Sequence, residues 1–192
     1  MWSLRSAGAS HSATIHAVAV VERGRPVMDR IVFTFGTLYE DDVIAALLGK
    51  VPANFYADLS DHSIYKAGFK QLPPKAKEFI LSKGYDPQTF SFLYLKSDES
   101  AAFSIKGRAY YINQEDELVL DRWEGYPDWY SKVPMTVHDD HGRVYQAFVY
   151  SGDFDGERLE TYVRVVNNRE KVLINARAAR QEVLAKIKAR RA

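Results

Sequence analysis

The sequence predicts an α+β fold: a mixed, largely antiparallel sheet curled toward a barrel, with helices interspersed and a further helical segment at the C-terminal end. Three observations carry this expectation. Strand-like runs dominate the middle of the chain, helical stretches fall between them without strict alternation, and IVFTF (Ile31–Phe35) is a compact β-branched and aromatic run of the kind that fills a buried strand. The length, 192 residues, suits one domain with an appended element. A domain this long buries roughly 70% of its unfolded-chain surface, so it needs neither a disulfide nor a metal to fold.

Taken in order, residues 1–13 are small and polar and are expected to be loose. Alternation over 14–21 predicts an edge strand, with a turn at Glu22–Pro26. The run Ile31–Phe35 stops at Gly36-Thr37-Leu38. Asp41 or its neighbour then serves as N-cap of a short helix closed by Gly49. Two short strands are expected between Ala53 and Phe69, around a turn at Ser60–His62. Pro73–Gly84 reads as a helix with Pro near its start and Gly after its end. Phe90–Lys96 and Ala102–Ile112 read as strands. Asn113 caps QEDELVLDRWEG, which carries acids in its first turn and Gly125 just past its end. Tyr130–His138 and Arg143–Tyr150 form a hairpin across DDHG. Beyond Gly152 and Gly156 the chain is expected to turn helical. Leu159, Tyr162 and Val166 share one apolar face, which Leu173, Ala176, Val183 and Ile187 continue.

Composition narrows the chemistry. The chain has no cysteine, so a thiol nucleophile, a Cys-based zinc site and a disulfide framework are excluded. That suits a reducing compartment, and a cytoplasmic setting is expected. No run of about 18 apolar residues offers a membrane span, and the N-terminal stretch lacks the continuous apolar core of a secretory signal. Charge is uneven: from Glu157 onward ten Lys/Arg face four Glu, whereas the preceding residues hold sixteen against twenty-one acids. Acids interspersed in the basic tail, and apolar positions that require burial, favour an amphipathic helix packed on the barrel or pairing two subunits over a nucleic-acid surface. No aromatic interleaving for base stacking is present there.

Two stretches could carry chemistry. A buried strand ending in Gly before a helix exposes successive backbone N–H groups, which can cradle a carboxylate or a developing oxyanion. The other reading is a plain strand-to-helix turn. The second stretch is Glu124, an acid at a helix C-terminus, where partial negative charge makes a carboxylate unfavourable by a few tenths to about 1 kcal/mol. The helix dipole and the aromatic neighbours Trp123, Tyr126, Trp129 and Tyr130 would both raise its pKa and suit it to general-base work. The bland alternative is a solvated Glu at a frayed end. His138-Asp139-Asp140-His141 has metal-ligand residue types, but its place at a hairpin favours a solvated turn. His11, His16 and His62 have no companions that suggest a relay.

In this order the motifs resemble the gamma-glutamylcyclotransferase-like superfamily, in its avirulence-induced-gene-type (butirosin cyclotransferase-like) branch. Phe35-Gly36-Thr37-Leu38 is similar to the family's Tyr/Phe-Gly-Ser/Thr-Leu loop. Leu120, Asp121, Glu124 and Gly125 are similar to its Leu-Asp-x-x-Glu-Gly signature. Tyr130 before KVPMTV, and AFVY (Ala147–Tyr150), resemble its later strands. The resemblance covers roughly residues 31–152, leaving an N-terminal extension (1–30) and a basic C-terminal segment (153–192).

It implies a small mixed β-barrel flanked by helices and a lyase that cyclises a gamma-glutamyl group to 5-oxoproline with release of an amine. No metal or cofactor is implied. Glu124 would be the general acid/base, Phe35, Gly36, Thr37 and Leu38 would hold the substrate, and Tyr130 and Tyr150 would line the site. The alternative is a binding or regulatory module that keeps the fold without turnover. Phe35 departs from the commoner Tyr of the loop, which removes a hydroxyl.

Overall fold

The computed structural model describes residues 19–22, 25–28, 30–160 and 168–191. In chain order come β1 (Ala19–Glu22), β2 (Arg25–Met28), β3 (Arg30–Thr34), a 3₁₀ turn at Thr37–Tyr39 and α1 (Asp41–Leu48). Next are β4 (Asn54–Leu59), β5 (His62–Gly68), α2 (Pro74–Ser82), β6 (Ser91–Ser97), β7 (Ile105–Ile112) and α3 (Gln114–Glu124). The hairpin β8 (Ser131–Asp139) and β9 (Val144–Ser151), the short β10 (Glu157–Arg158) and α4 (Arg169–Arg191) follow.

Five strands close into a barrel in the order β3-β7-β4-β8-β9. All neighbours run antiparallel except β9 and β3, which meet through the parallel pair Val32↔Phe148. A second sheet has the order β10-β5-β6, and β1 and β2 pair with each other. The sheet is therefore mixed and mainly antiparallel, as the strand-rich middle of the sequence predicts.

Alternation along the strands separates two cores. Phe33, Ala109, Ala147 and Val149 join Leu59, Ile105, Met135 and Val137 in one cluster. Their neighbours Val32, Tyr110, Phe148 and Tyr150 join residues of all four helices in the other. Side chains point to opposite faces at every step, so the second half of β3 and most of β9 are buried on both faces and read as continuous apolar runs, whereas β7 alternates in its first half, with Lys106 exposed.

The capping signals map closely. Asn113 Oδ1 accepts from the Asp116 N–H at 2.9 Å, and Gly125 ends α3 in the left-handed conformation at φ 66°. Gly49 ends α1 in the same way at φ 77°. The N-cap of α1 is Glu40, the neighbour of Asp41, and it makes no side-chain capping bond. Acidic residues at the following two positions complement the helix dipole instead.

Two expectations need correcting. The turn expected at Glu22–Pro26 is narrower, because Arg25 and Pro26 belong to β2 and pair with β1. The helix expected beyond Gly156 does not begin there: Glu157 and Arg158 pair with Lys66 and Tyr65 of β5. Gly156 permits this close approach, since a Cβ there would lie 2.5 Å from the Lys66 carbonyl oxygen. Residues 14–18 of the predicted edge strand, and Tyr162 and Val166 of the predicted helix face, lie outside the described residues.

The basic C-terminal helix packs on the domain against α1 and α3. It buries Val172, Ala176, Ala179 and Val183, with Leu173 and Ile187 partly covered. Ion pairs from Arg122 to Glu182 (2.7 Å) and from Arg191 to Glu115 (2.6 Å) fasten it.

Candidate active site

A cavity of about 180 Å³ opens where the two cores meet. Phe33, Phe35 and Val149 wall it from the barrel side, and Ile80, Phe92, Tyr130 and Val172 from the helix side. All seven residues singled out from the sequence line it: Phe35, Gly36, Thr37, Leu38, Glu124, Tyr130 and Tyr150. The volume is small beside the roughly 300–1,000 Å³ of pockets that take drug-sized ligands.

Glu124 stands in the wall because α3 is bounded at both ends. The Asn113 capping box sets its start, and Gly125 turns the chain out of the helix directly after Glu124. Glu117, Asp121 and Glu124, at intervals of four and three, occupy one side of the helix. Their environments differ. Lys132 Nζ donates to Glu117 Oε1 (2.5 Å) and Asp121 Oδ2 (2.9 Å), and Arg30 also pairs with Glu117. Glu124 has no ion pair among the described residues. Protein packed around its carboxyl strips it of water, and that burial raises its pKa from the ordinary 4.5 to about 8. Loss of water around the carboxyl is the cause that acts here, in the direction expected from its aromatic neighbours.

The loop after β3 brings the other half. Gly36 precedes the 3₁₀ turn Thr37–Tyr39, with Tyr39 N–H bonded to the Gly36 carbonyl at 3.0 Å. The N–H groups of Gly36, Thr37 and Leu38 donate to no acceptor among the described residues. Such leading amides are the unsatisfied donors of a helix start. A Cβ at Gly36 would meet nothing within 4 Å, so it would project into open space at the cavity wall. The Leu38 and Phe35 side chains are buried, one in each core. They hold the loop's backbone against the cavity, and the ring of Phe35 does this without the hydroxyl of a tyrosine.

Both tyrosines are oriented by hydrogen bonds. Tyr130 Oη donates to the Leu93 carbonyl at 2.7 Å, and its ring stacks on Trp129 at 4.9 Å and 15°. Tyr150 Oη donates to Asp121 Oδ1 at 2.6 Å. Burial raises both phenols, and the nearby negative charge of Glu124 adds to it. Neither hydroxyl hydrogen is committed to Glu124, which leaves that carboxyl available to a ligand.

Sequence reasoning missed three contributions. Asp121, named from the sequence only as part of the Leu-Asp-x-x-Glu-Gly signature, accepts from Tyr150 and Lys132 at once. Trp129 lines the cavity with an indole Nε1 that is buried and has no hydrogen-bond partner among the described residues. The tail helix supplies Arg169, Val172, Asn175 and Ala179 to the wall. Their spacing of three, three and four residues marks one helix face, a signal present in the sequence but unreadable without knowing what that face covers.

The chain turns at Asp140–His141 as a hairpin requires, but His138 and Asp139 are the last residues of β8 and Asp139 is not solvated. It is 5% exposed and accepts from the N–H groups of His141 and Arg143 (both 2.9 Å), from Arg143 Nε (2.6 Å) and from Tyr145 Oη (3.1 Å). These donors hold its pKa down at about 2 against the opposing effect of burial. No cluster of three or more His, Asp or Glu side chains suited to a metal occurs among the described residues.

Comparison with known proteins bears on this arrangement. The sequence profile of the gamma-glutamyl cyclotransferase, AIG2-like family matches residues 32–165. A solved structure described as gamma-glutamyl cyclotransferase superposes with a TM-score of 0.54 at 14% identity, covering 84% of this chain and 87% of the other. A crystal structure of the uncharacterized Homo sapiens protein loc79017 superposes with a TM-score of 0.53 at 13% identity, covering 82% and 87%. At such identities these two likenesses concern the fold. No curated protein sequence matches. With a family profile spanning more than half of its length, the chain belongs to the gamma-glutamyl cyclotransferase, AIG2-like family.

Proposed function

We propose that this protein releases 5-oxoproline and an amine from a small gamma-glutamyl amine or peptide, with Glu124 as general acid and base. The observation that carries the reading is that a carboxyl and backbone amides, none with a partner among the described residues, line one cavity. The nucleophile is the substrate's own alpha-amine, which attacks the gamma-carbonyl carbon. A C–N bond forms to close the five-membered ring, and the bond to the departing amine breaks. Holding the two ends together exploits the large advantage of an oriented intramolecular attack.

Near neutral pH most of the amine carries an extra proton. Glu124 accepts it and later gives one to the departing nitrogen. A carboxyl with a pKa of about 8 exchanges protons in both directions near neutrality, whereas one near 4.5 would be a poor donor. The N–H groups of Gly36, Thr37 and Leu38 hold the glutamyl carboxylate or the oxyanion that develops on the gamma-carbonyl. Tyr130 and Tyr150, locked by Leu93 and Asp121, shape the space around the ring that closes.

A panel of gamma-glutamyl amines and amino acids, assayed for 5-oxoproline with the Glu124→Gln variant as control, tests this reading. Turnover of at least one member that is lost in the variant is expected. Equal turnover in both proteins would remove Glu124 from the mechanism.

A further inference from the structure

The charged side chains that line the cavity are unequally partnered. Lys83 follows α2 and lines the cavity, yet its ammonium has no ion pair and no hydrogen bond among the described residues. It lies over the Phe79 ring at 5.4 Å, and the Arg122 guanidinium lies over the same ring at 4.9 Å. The nearby carboxylate is Glu182, already accepting from Arg122 (2.7 Å) and Lys186 (2.8 Å). Of the other cations on this side, Arg169 is held by Asp42 and Glu40. Lys171 donates to the Gly84 carbonyl oxygen. Lys83 is thus a half-buried cation at the cavity that no carboxylate among the described residues pairs directly, the nearest being shared by Arg122 and Lys186.

The surroundings keep it there. Asn175 of α4 reaches the Lys83 carbonyl oxygen from Nδ2 at 3.5 Å, tying the connection after α2 to the tail helix. Burial lowers the Lys83 pKa and the neighbouring Arg122 lowers it further, so an incoming anion would relieve an unfavourable arrangement. The Gly36–Leu38 amides lie on a different wall, formed by the barrel.

We infer that Lys83 is a specificity residue that binds the carboxylate of the departing amine. The substrates it favours are then gamma-glutamyl amino acids or peptides, over gamma-glutamyl amines that carry no carboxylate. This rests on the cyclotransferase reading above. It adds that the amine's own acid group is read by the face that α2 and α4 build, with α4 lying outside the family-matched residues 32–165. A charge-assisted contact of this kind is worth roughly ten- to a hundredfold in affinity.

The test compares gamma-glutamyl-alanine with gamma-glutamyl-alaninamide, which differ only in that carboxylate, as substrates of the wild type, Lys83→Met and Lys83→Arg. The wild type should prefer the acid by roughly tenfold or more in kcat/KM. Lys83→Met should lose roughly ten- to a hundredfold on the acid, mainly through KM, and less than about threefold on the amide. Lys83→Arg should recover part of the preference. Equal losses on both substrates, as expected if Lys83 held the glutamyl end or only the fold, overturn the inference. So does a wild type indifferent to the carboxylate.

Calorimetric binding of both compounds to the Glu124→Gln protein, with and without Lys83→Met, separates the two readings. Acid-selective binding that depends on Lys83, without turnover by the wild type, supports the subsite while sinking the cyclotransferase reading. Binding of neither compound sinks both.

Discussion

Two carboxylates held away from bulk water sit at the ends of secondary-structure elements in this molecule, and their pKa values are displaced in opposite directions. Asp139 ends β8 and is surrounded by donors: two backbone N–H groups, a guanidinium and a phenol. Glu124 ends α3 beside a cavity and is surrounded by aromatic and aliphatic side chains and backbone. Burial penalises both anions. At Asp139 the donors outweigh it and the pKa falls to about 2; at Glu124 nothing opposes it and the pKa rises to about 8. The lesson is that burial alone assigns no role. A carboxylate with every oxygen satisfied is a structural bracket, whereas one kept unsatisfied beside a cavity can exchange a proton with a ligand.

The strongest way to break this contrast is Glu124→Gln. Under the proposed mechanism it lowers kcat for 5-oxoproline release by roughly 10²–10⁴-fold, the usual worth of a positioned acid/base. The neutral amide is nearly the same shape, so the fold should persist with an unchanged circular dichroism spectrum. A variant with wild-type kcat would place the carboxyl among bystanders, however unusual its surroundings.

Next in size is the pH dependence of stability, where the two carboxylates have opposite signs. Glu124 holds its proton in the folded state up to about 8, whereas an unfolded chain releases it near 4.5. Between those values the unfolded state binds fewer protons, so stability falls as pH rises through that window. The span is on the order of a few kcal/mol, reduced because Glu124 keeps part of its surface open to the cavity. Asp139 behaves the other way. Its contribution is fully present above its ordinary 3.8 and is lost as pH falls toward about 2. Tyr130 and Tyr150, which face Glu124, have pKa values raised above the ordinary 10 and do not titrate in either window. Urea unfolding of wild type and Glu124→Gln from pH 4 to 9 should give curves that diverge as pH rises. Parallel curves would mean that Glu124 is solvated.

This contrast also marks what the sequence could disclose. The caps were legible because they are local: Asn113 is three residues from the N–H it receives, and Gly125 is adjacent to the residue whose position it determines. Glu124 stood out for the same reason, as an acid at the wrong end of a helix. The solvated reading of DDHG failed on Asp139, because composition shows polar residues at a turn but not that four donors converge inside it.

The partners of the site were less legible still. Tyr150 and Asp121 are 29 residues apart, and Asn175 and Lys83 are 92 apart. Only closure of the barrel and docking of α4 bring them together. Strand alternation was hidden as well in β3 and β9, which bury both faces over most of their length and leave little polar period to count.

Asp139→Ala tests the bracket. Arg143 is exposed enough to regain water, but the His141 and Arg143 N–H groups and the buried Tyr145 hydroxyl lose an acceptor. A loss of about 2–3 kcal/mol in unfolding free energy is expected. Since Asp139 does not line the cavity, kcat of the protein that remains folded should stay within about twofold of wild type. A larger kcat effect would show that the hairpin and the cavity are coupled.

The smallest effect sharpens the comparison most, because it asks why Glu124 lacks a donor when a tyrosine stands beside it. Tyr150 Oη is directed to Asp121, and Asp121 is held in turn by Lys132, which also holds Glu117. One cation shared by two carboxylates thereby draws the phenol away from the third. Tyr150→Phe should cost about 1 kcal/mol of stability, the net value of one hydrogen bond with little change in packing. It should leave the Glu124 pKa near 8, as read from the pH dependence of stability in the wild-type and Tyr150→Phe backgrounds. If Tyr150 instead shared its proton with Glu124, its removal would push that pKa upward and move the stability window with it. A fixed window, with only a small loss of stability, would show that Asp121 keeps the phenol out of the proton's path.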